Sequence, residues 1–531
     1  MLEEIKNKSK NIINIILFFY LLLGLYLSVN TGITTDELLD QYNWSLSWEA
    51  IKDFFGAENN GYKNLYGYVW KYHGIGFHYI SQIYIYITSL LINFKDINDE
   101  VSRVLLNHSL IFLTFFLSGI FAKKILNLII EDNFYSSVFL FFYLSYPYLL
   151  GHGFYNPKDM PFLFAWILSS YISIKIFLKI YKKEPIKFIK IFILALSTAF
   201  LLSIRISGIL IILQYLITFI ILSQHIKISF YEIIKIYFYK IILFLFLFLL
   251  FLIFFYPIFW TNPLLLIDAF NQMRNLPYGV CTLTLGNCMD ALNLPSSYIL
   301  IWLFFKLPLG AFIGILLFPF VEKKIFINIK NRIILGSILL TIISIVFLLI
   351  FFQVNLYDEL RHILFLVPLI LISTFSIIYF FSKKIFLYVS IISTLFFVIQ
   401  NINMFPYQYT WFNSFSNFIN INKNFEVDYW GVSGREIAKK INNNENLLLH
   451  KDKCIYVAPI HVIKPFISND YNCVKPFFSI YPKSDEQYIL VKYMRNIRRG
   501  NPSNCKLIFT ESYNLFVFNN NLKIGEVFFC N

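Results

Sequence analysis

Apolar and polar positions alternate along this chain in long blocks: extended runs of Leu, Ile and Phe are separated by short loops that hold most of the charge. Residues 11–30 form the first run, long enough to cross a hydrocarbon layer. Lys6, Lys8 and Lys10 precede it and no small-residue cleavage site follows, which predicts a signal anchor with the N-terminus inside rather than a cleaved leader. Further runs lie at 104–122, 134–150, 161–181, on both sides of Arg205-Ile206-Ser207-Gly208, up to Tyr256-Pro257, up to Phe320, at 333–352, up to Lys383-Lys384, and at 385–401. The pattern predicts an α-helical polytopic membrane protein with about eleven spans. Residues 75–92 are also apolar but carry His78, Ser81 and Gln82, and counting them as a span breaks the charge balance downstream. They read as an interfacial or re-entrant segment inside a first outer loop, 31–103. Lys306 and Pro308 predict that the run ending at Phe320 begins with a short helix lying in the interface.

After residue 401 the pattern changes. Short β-rich runs at 454–459, 507–510 and 515–518 alternate with an expected helix at 434–442, so 402–531 reads as a small α/β or α+β domain following a membrane domain, 1–401. Composition agrees with the membrane reading: 58% of residues are hydrophobic and only 14% charged, whereas a soluble domain has about a quarter charged. The net charge of +14 would suit nucleic acid, yet Lys and Arg also collect in cytoplasmic loops. Threading the runs from an inside N-terminus puts roughly twice as many of them on the cytoplasmic side as on the outer side of the membrane part. The partner implied is a bilayer, with no nucleic acid, and the C-terminal domain falls outside.

All six cysteines then fall on the outer side, as disulfides require. Cys281 and Cys288, in one loop, are the expected pair; Cys454, Cys473, Cys505 and Cys530 could form two more bridges of open connectivity. No CxxC or HxxxH spacing supports zinc.

Four charged clusters converge on the outer ends of the spans: Asp36-Glu37, Lys158-Asp159, Arg205 and Arg361-His362. Each has an ordinary structural explanation. The acidic pair could cap a helix, Asn156-Pro157 could be a turn, Arg205 could reach for lipid headgroups, and Arg361 could pair with Asp358 or Glu359. Ionisable groups at the edge of hydrocarbon are costly, however, and their common side favours function. Two acids among fixed cations suit a reaction in which a hydroxyl attacks and a phosphate leaves. His73, His78 and His108 read as packed or interfacial rather than metal-binding.

The segment Gly151-His152-Gly153-Phe154-Tyr155-Asn156-Pro157-Lys158-Asp159-Met160-Pro161-Phe162 resembles a signature of a bacterial branch of the GT-C glycosyltransferases. That branch is similar to the protein O-mannosyltransferases and aminoarabinose transferases of glycosyltransferase family 39. Tyr357-Asp358-Glu359-Leu360-Arg361-His362, Phe405-Pro406-Tyr407-Gln408-Tyr409 and Asp428-Tyr429-Trp430-Gly431-Val432-Ser433 extend the resemblance in the same order. It implies transfer of a sugar from a polyprenyl-phosphate donor, with inversion, at the outer face of the bacterial cytoplasmic membrane. Carried over by position, Asp36 would be the general base, supported by Glu37, and Asp159 the second acid, binding sugar or helping place a divalent metal ion; no other cofactor is implied. Arg205 would hold the lipid phosphate, with Lys158, Arg361 and His362 as further donor-binding residues, and His152 and Asn156 would serve the acceptor or the structure. The loop at 257–297 is too small for the β-trefoil insert of the protein O-mannosyltransferases, which weighs against a protein acceptor relative to a glycan or lipid. A transporter or flippase of lipid-linked saccharides is the alternative from another class. It predicts inverted repeats, discontinuous helices and ionisable groups near mid-membrane.

Overall fold

Long apolar segments satisfy their backbone hydrogen bonds internally only as helices, and helix dominates the computed structural model. It describes residues 2–92, 99–226, 230–274, 279–471, 473–477, 486–493, 495, 504–515 and 520–531. The first part of the chain forms α1 (Leu2–Ser28), α2 (Thr35–Phe54), α3 (Gly61–Gly67), α4 (Gly76–Ile92), α5 (Glu100–Ile130), α6 (Asn133–Ser145), α7 (Pro147–Tyr155), α8 (Asp159–Tyr181), α9 (Phe188–Ile204), α10 (Ile211–Ile226) and α11 (Phe230–Phe255). Among the described residues seven helices are long and apolar enough to cross a membrane. An eighth span results if Tyr298–Lys306 and Leu309–Phe326, bent by 110°, count as one. Lys306 and Pro308 fall at that bend; one face of the short first helix is buried in the protein, with Lys306 fully covered, while Leu300 and Phe304 are exposed.

The three other expected spans are shorter or broken. The run at 134–150 is not one helix: it stops at Ser145, and α7 restarts at Pro147, whose ring cannot continue the preceding ladder. Helices α9 and Leu366–Phe381 are apolar but short. Residues 76–92 form a regular helix, α4, packed on α5 and α9.

Helix α5 lies at the centre, against α1, α6, α7, α8 and Leu366–Phe381. The outward faces of α1, α11 and Lys383–Met404 leave Phe19, Phe246 and Leu395 exposed, the kind of apolar surface that lipid covers in a multi-pass membrane protein.

Residues after 401 also pack against the helices. Tyr409, Trp411, Phe412, Phe425, Tyr429 and Trp430 are buried in the helical core. Trp411 meets Tyr146 edge-on at 5.3 Å, and Tyr409 meets Tyr155 at 5.6 Å. A second core, with Ile437, Ile441, Ile455 and Val491, begins with the helix Gly434–Asn443. Its sheet runs in the order β4-β3-β5-β7-β6, from β3 (Cys454–Val457), β4 (Cys473–Pro476), β5 (Tyr488–Tyr493), β6 (Cys505–Leu515) and β7 (Asn520–Cys530). A hairpin, β1 (Cys281–Thr284) and β2 (Asn287–Asp290), precedes the bent pair of helices. Strands β4 and β5 run parallel to β3, and β7 antiparallel to both β5 and β6, a mixed α+β arrangement. The strand expected at 515–518 extends β6 only to Leu515; its other residues lie outside the described residues.

The cysteines pair as Cys281–Cys288, Cys454–Cys473 and Cys505–Cys530. The last two bridges join residues directly opposite each other in neighbouring strands, so sheet register settled the connectivity.

Candidate functional site

Helix α2 turns an unusual face inward. Its buried positions begin with Glu37, Asp40 and Asn43 before becoming apolar at Trp44 and Leu46. Spacings of three and four place these residues on one stripe, so the first turns of α2 carry carboxylates into the protein.

The start of α2 is clamped from the far end of the chain. Thr35 N donates to the Trp430 carbonyl at 3.1 Å. Asp428 fixes the Trp430 turn, accepting from Tyr409 Oη at 2.5 Å, Val432 N at 2.9 Å and Ser433 N at 3.1 Å. Arg435 donates to the carbonyls of Val29 and Thr31. Gly32 is required here, since a Cβ would stand 2.1 Å from the Val432 oxygen.

Glu37 is spent on this scaffold. One oxygen accepts from Thr34 N at 2.6 Å, and the other meets His108 Nε2 at 2.7 Å. His108 Nδ1 in turn lies 3.0 Å from Thr31 Oγ1 and 3.1 Å from the Ser28 carbonyl. The site role expected for Glu37 is therefore reduced to positioning. The Thr-x-x-Glu spacing of a capping box was the signal for it.

The turn between α7 and α8 is built by Asn156 and His152, expected to serve the acceptor or the structure. Asn156 Oδ1 accepts from the backbone of Lys158 at 3.2 Å and Asp159 at 2.8 Å, while its Nδ2 faces Asp159 Oδ2 at 3.0 Å and His152 Nδ1 at 2.9 Å. Both side chains are buried. Gly151 lets this turn approach Tyr409, whose nitrogen would be 2.0 Å from an added Cβ.

Three carboxylate–cation pairs result. Asp36 Oδ2 accepts from Arg361 Nη1 at 2.7 Å, Asp159 Oδ1 meets Arg205 Nη2 at 2.6 Å, and Asp40 Oδ1 contacts Lys158 Nζ. Arg361 also reaches Asp358 at 3.3 Å and stacks over Tyr357 and Trp430, at 4.8 and 5.4 Å from their ring centres. Arg205 Nη1 lies 3.1 Å from His362 Nδ1. Burial would raise the Asp36 carboxyl, but Arg361, Lys158 and Arg205 outweigh it and hold it at about 2. Burial pushes Asp40 up to about 6 against the pull of Lys158. Burial, with Arg205, Arg361 and Lys158 nearby, keeps the His362 imidazole well below its usual range. His362 thus meets Arg205 as a neutral imidazole.

The turn that offers Arg361 is strained: Asp358 and Glu359 both hold left-handed conformations, with φ of 56° and 64°. A fully buried ion pair, Lys306 Nζ to Glu359 at 2.9 Å, anchors it. Asp358 continues through Arg495 to Glu426.

The expected residues Asp36, Lys158, Asp159, Arg205, Arg361 and His362 therefore come together, whereas Glu37, His152 and Asn156 support them from behind. Asp40 and Lys306 were missed. Asp40 stands one helical turn after Asp36, a spacing that places both on one face; nothing local marked Lys306 as more than an interfacial residue. Among the described residues no three His, Cys, Asp or Glu side chains are gathered as a divalent ion would need. Asp36, Asp40 and Asp159 each face a cationic side chain instead, so the donor set does not fit the metal the resemblance left open. No protein-family model and no curated protein matches the chain.

Proposed function

We propose that the chain is a membrane glycosyltransferase that moves a sugar from a polyprenyl-phosphate donor to an acceptor, with inversion. The observation that carries this reading is the gathering of Asp36–Arg361, Asp40–Lys158 and Asp159–Arg205 at one end of an apolar helical bundle. Preset cations beside carboxylates suit a step in which one group gains a proton while another gains negative charge.

In that step the acceptor oxygen bonds to the anomeric carbon and Asp36 takes the hydroxyl proton. The bond from that carbon to the phosphate oxygen breaks, and its electron pair leaves with the polyprenyl phosphate. Arg205, Lys158 and Arg361 offset the departing charge. Held near 2 by its cations, Asp36 is a weak base. A phosphate drawing on Arg361 loosens that hold and moves the carboxylate toward the range in which proton transfer is efficient. Asp159 keeps Arg205 oriented through one oxygen, while Asn156 Nδ2 holds the other.

About eleven spans, with the N-terminus inside and both the site and the C-terminal domain at the outer face of a bacterial cytoplasmic membrane, complete the proposal. Its support is the Lys and Arg distribution and the three disulfides, which persist in oxidising compartments. The acceptor is a glycan, a lipid or a protein.

The helix breaks at Tyr146 and at Leu307-Pro308 are of the kind expected for a transporter and give that reading its one specific support. One assay separates the two: purified protein with radiolabelled polyprenyl-phosphate sugar and an acceptor extract. Asp36→Asn should lose transfer by about 100-fold or more with donor binding intact. Unchanged transfer refutes the assignment of the base, and donor translocation without transfer establishes transport.

A further inference from the structure

Asp40 belongs to none of the motif segments that drew attention to the site, yet it is buried there beside Lys158. It is 4% exposed, one turn beyond Asp36 on the inward stripe of α2. Its Oδ1 contacts Lys158 Nζ. Its Oδ2 is buried without a hydrogen-bond partner, an expensive condition for a carboxylate. No capping or turn role accounts for it, in contrast to Glu37 and Asn156. Lys158 itself heads α8, with its backbone fixed by Asn156 and its side chain 20% exposed. An ammonium group has three N–H donors on a flexible stem, so its direction must be imposed from outside.

We propose that Asp40 is a positioning residue: it holds the Lys158 ammonium by one N–H and leaves the others directed at a phosphate monoester, so that protonating Asp40 releases the cation and weakens anion binding. This rests on the reading of Lys158 as a phosphate-binding group. The titratable and charged groups facing Asp40 are Asp36 on its own helix, Lys158 on α8, Arg205 after α9 and Tyr68 after α3. Arg205 and Lys158 favour its ionised form, and Asp36 opposes it. Burial raises Asp40 to about 6, which puts the release within an accessible pH range, whereas Asp36 stays ionised throughout.

The test is binding of undecaprenyl monophosphate to the full chain in detergent from pH 5 to 8, with undecaprenol and inorganic phosphate as the other arms. The native protein should bind the lipid phosphate roughly tenfold more weakly at pH 5 than at pH 7.5, a change of the size expected for one charge-assisted hydrogen bond. Asp40→Asn should be weak at both ends and keep only the pH dependence of the ligand's own second ionisation, at about 6, and Asp40→Glu should restore part of the affinity and of the additional pH dependence. Lys158→Ala should match Asp40→Asn, and the double variant should be no worse than either single one. Competition by inorganic phosphate at equal strength would assign the subsite to free phosphate; weaker competition assigns it to the lipid headgroup. Folding of each variant is checked by thermal unfolding. If Asp40→Asn binds like the native protein, or its effect adds to that of Lys158→Ala, the role of Asp40 is refuted while anion binding stands. If the native protein prefers neither phosphate over undecaprenol, the anion-site reading falls with it.

Discussion

Replacing Asp40 by Asn should change how stability depends on pH, and the size of the change follows from its surroundings. Burial raises this carboxyl from an ordinary 3.8 to about 6, and with a side chain 5% exposed there is little solvent screening to discount. A raised carboxyl means that between these values the folded protein holds a proton that the unfolded chain has lost. The associated stability is fully present below about 3.8 and disappears as the pH rises through about 6. At about 1.4 kcal/mol per pH unit, the native protein should lose roughly 2–3 kcal/mol from this group between pH 4 and pH 7. Asp40→Asn cannot titrate and should not share that loss. Thermal unfolding in detergent, followed by circular dichroism at intervals of half a pH unit, should therefore show the native and variant curves diverging toward acid, with the native protein gaining. Asp36→Asn is the control. Asp36 is held at about 2, so its contribution is present above 3.8 and lost only as the pH falls through about 2. Its gap from the native protein should stay nearly flat from pH 4 to pH 7. Equal slopes in the native protein and Asp40→Asn, or a slope that vanishes in Asp36→Asn instead, would refute the reasoning.

Three further outcomes are expected. Glu37→Gln, which disturbs both the bond from Thr34 N and the contact with His108, should cost about 1–3 kcal/mol in thermal unfolding while folded protein keeps measurable transfer. Gly151→Ala should lower the yield of monodisperse protein in size-exclusion chromatography, because the new Cβ meets the backbone of Tyr409 rather than a movable side chain. Reduction should free six thiols that are unreactive to maleimide beforehand; opening Cys454–Cys473, which spans 19 positions, should lower the unfolding temperature of the C-terminal domain by the equivalent of about 3 kcal/mol.

The helical segments were legible because hydropathy is a local property: an apolar run of sufficient length has few alternatives to helix. The break at Pro147 was overlooked although proline marks it, since the run remains apolar across it. The segment 402–433 reads with the tail because the long apolar runs end at residue 401. Only packing against Tyr146 and Tyr155 shows that it completes the helical core. Within the site, adjacency of Asp36 and Glu37 suggested shared chemistry, but neighbours on a helix point some 100° apart. One therefore meets Arg361 and the other His108.

By itself the sequence determined that the chain is apolar, helical and multi-pass, that its cysteines lie outside the helices, and that charged residues recur where helices end. Tertiary structure alone decided which charge answers which. Asp36 and Arg361 stand 325 positions apart, and Lys158 finds Asp40 at a separation of 118. Ionic pairing depends on distance and burial in three dimensions, and neither quantity is carried by the order of residues along one.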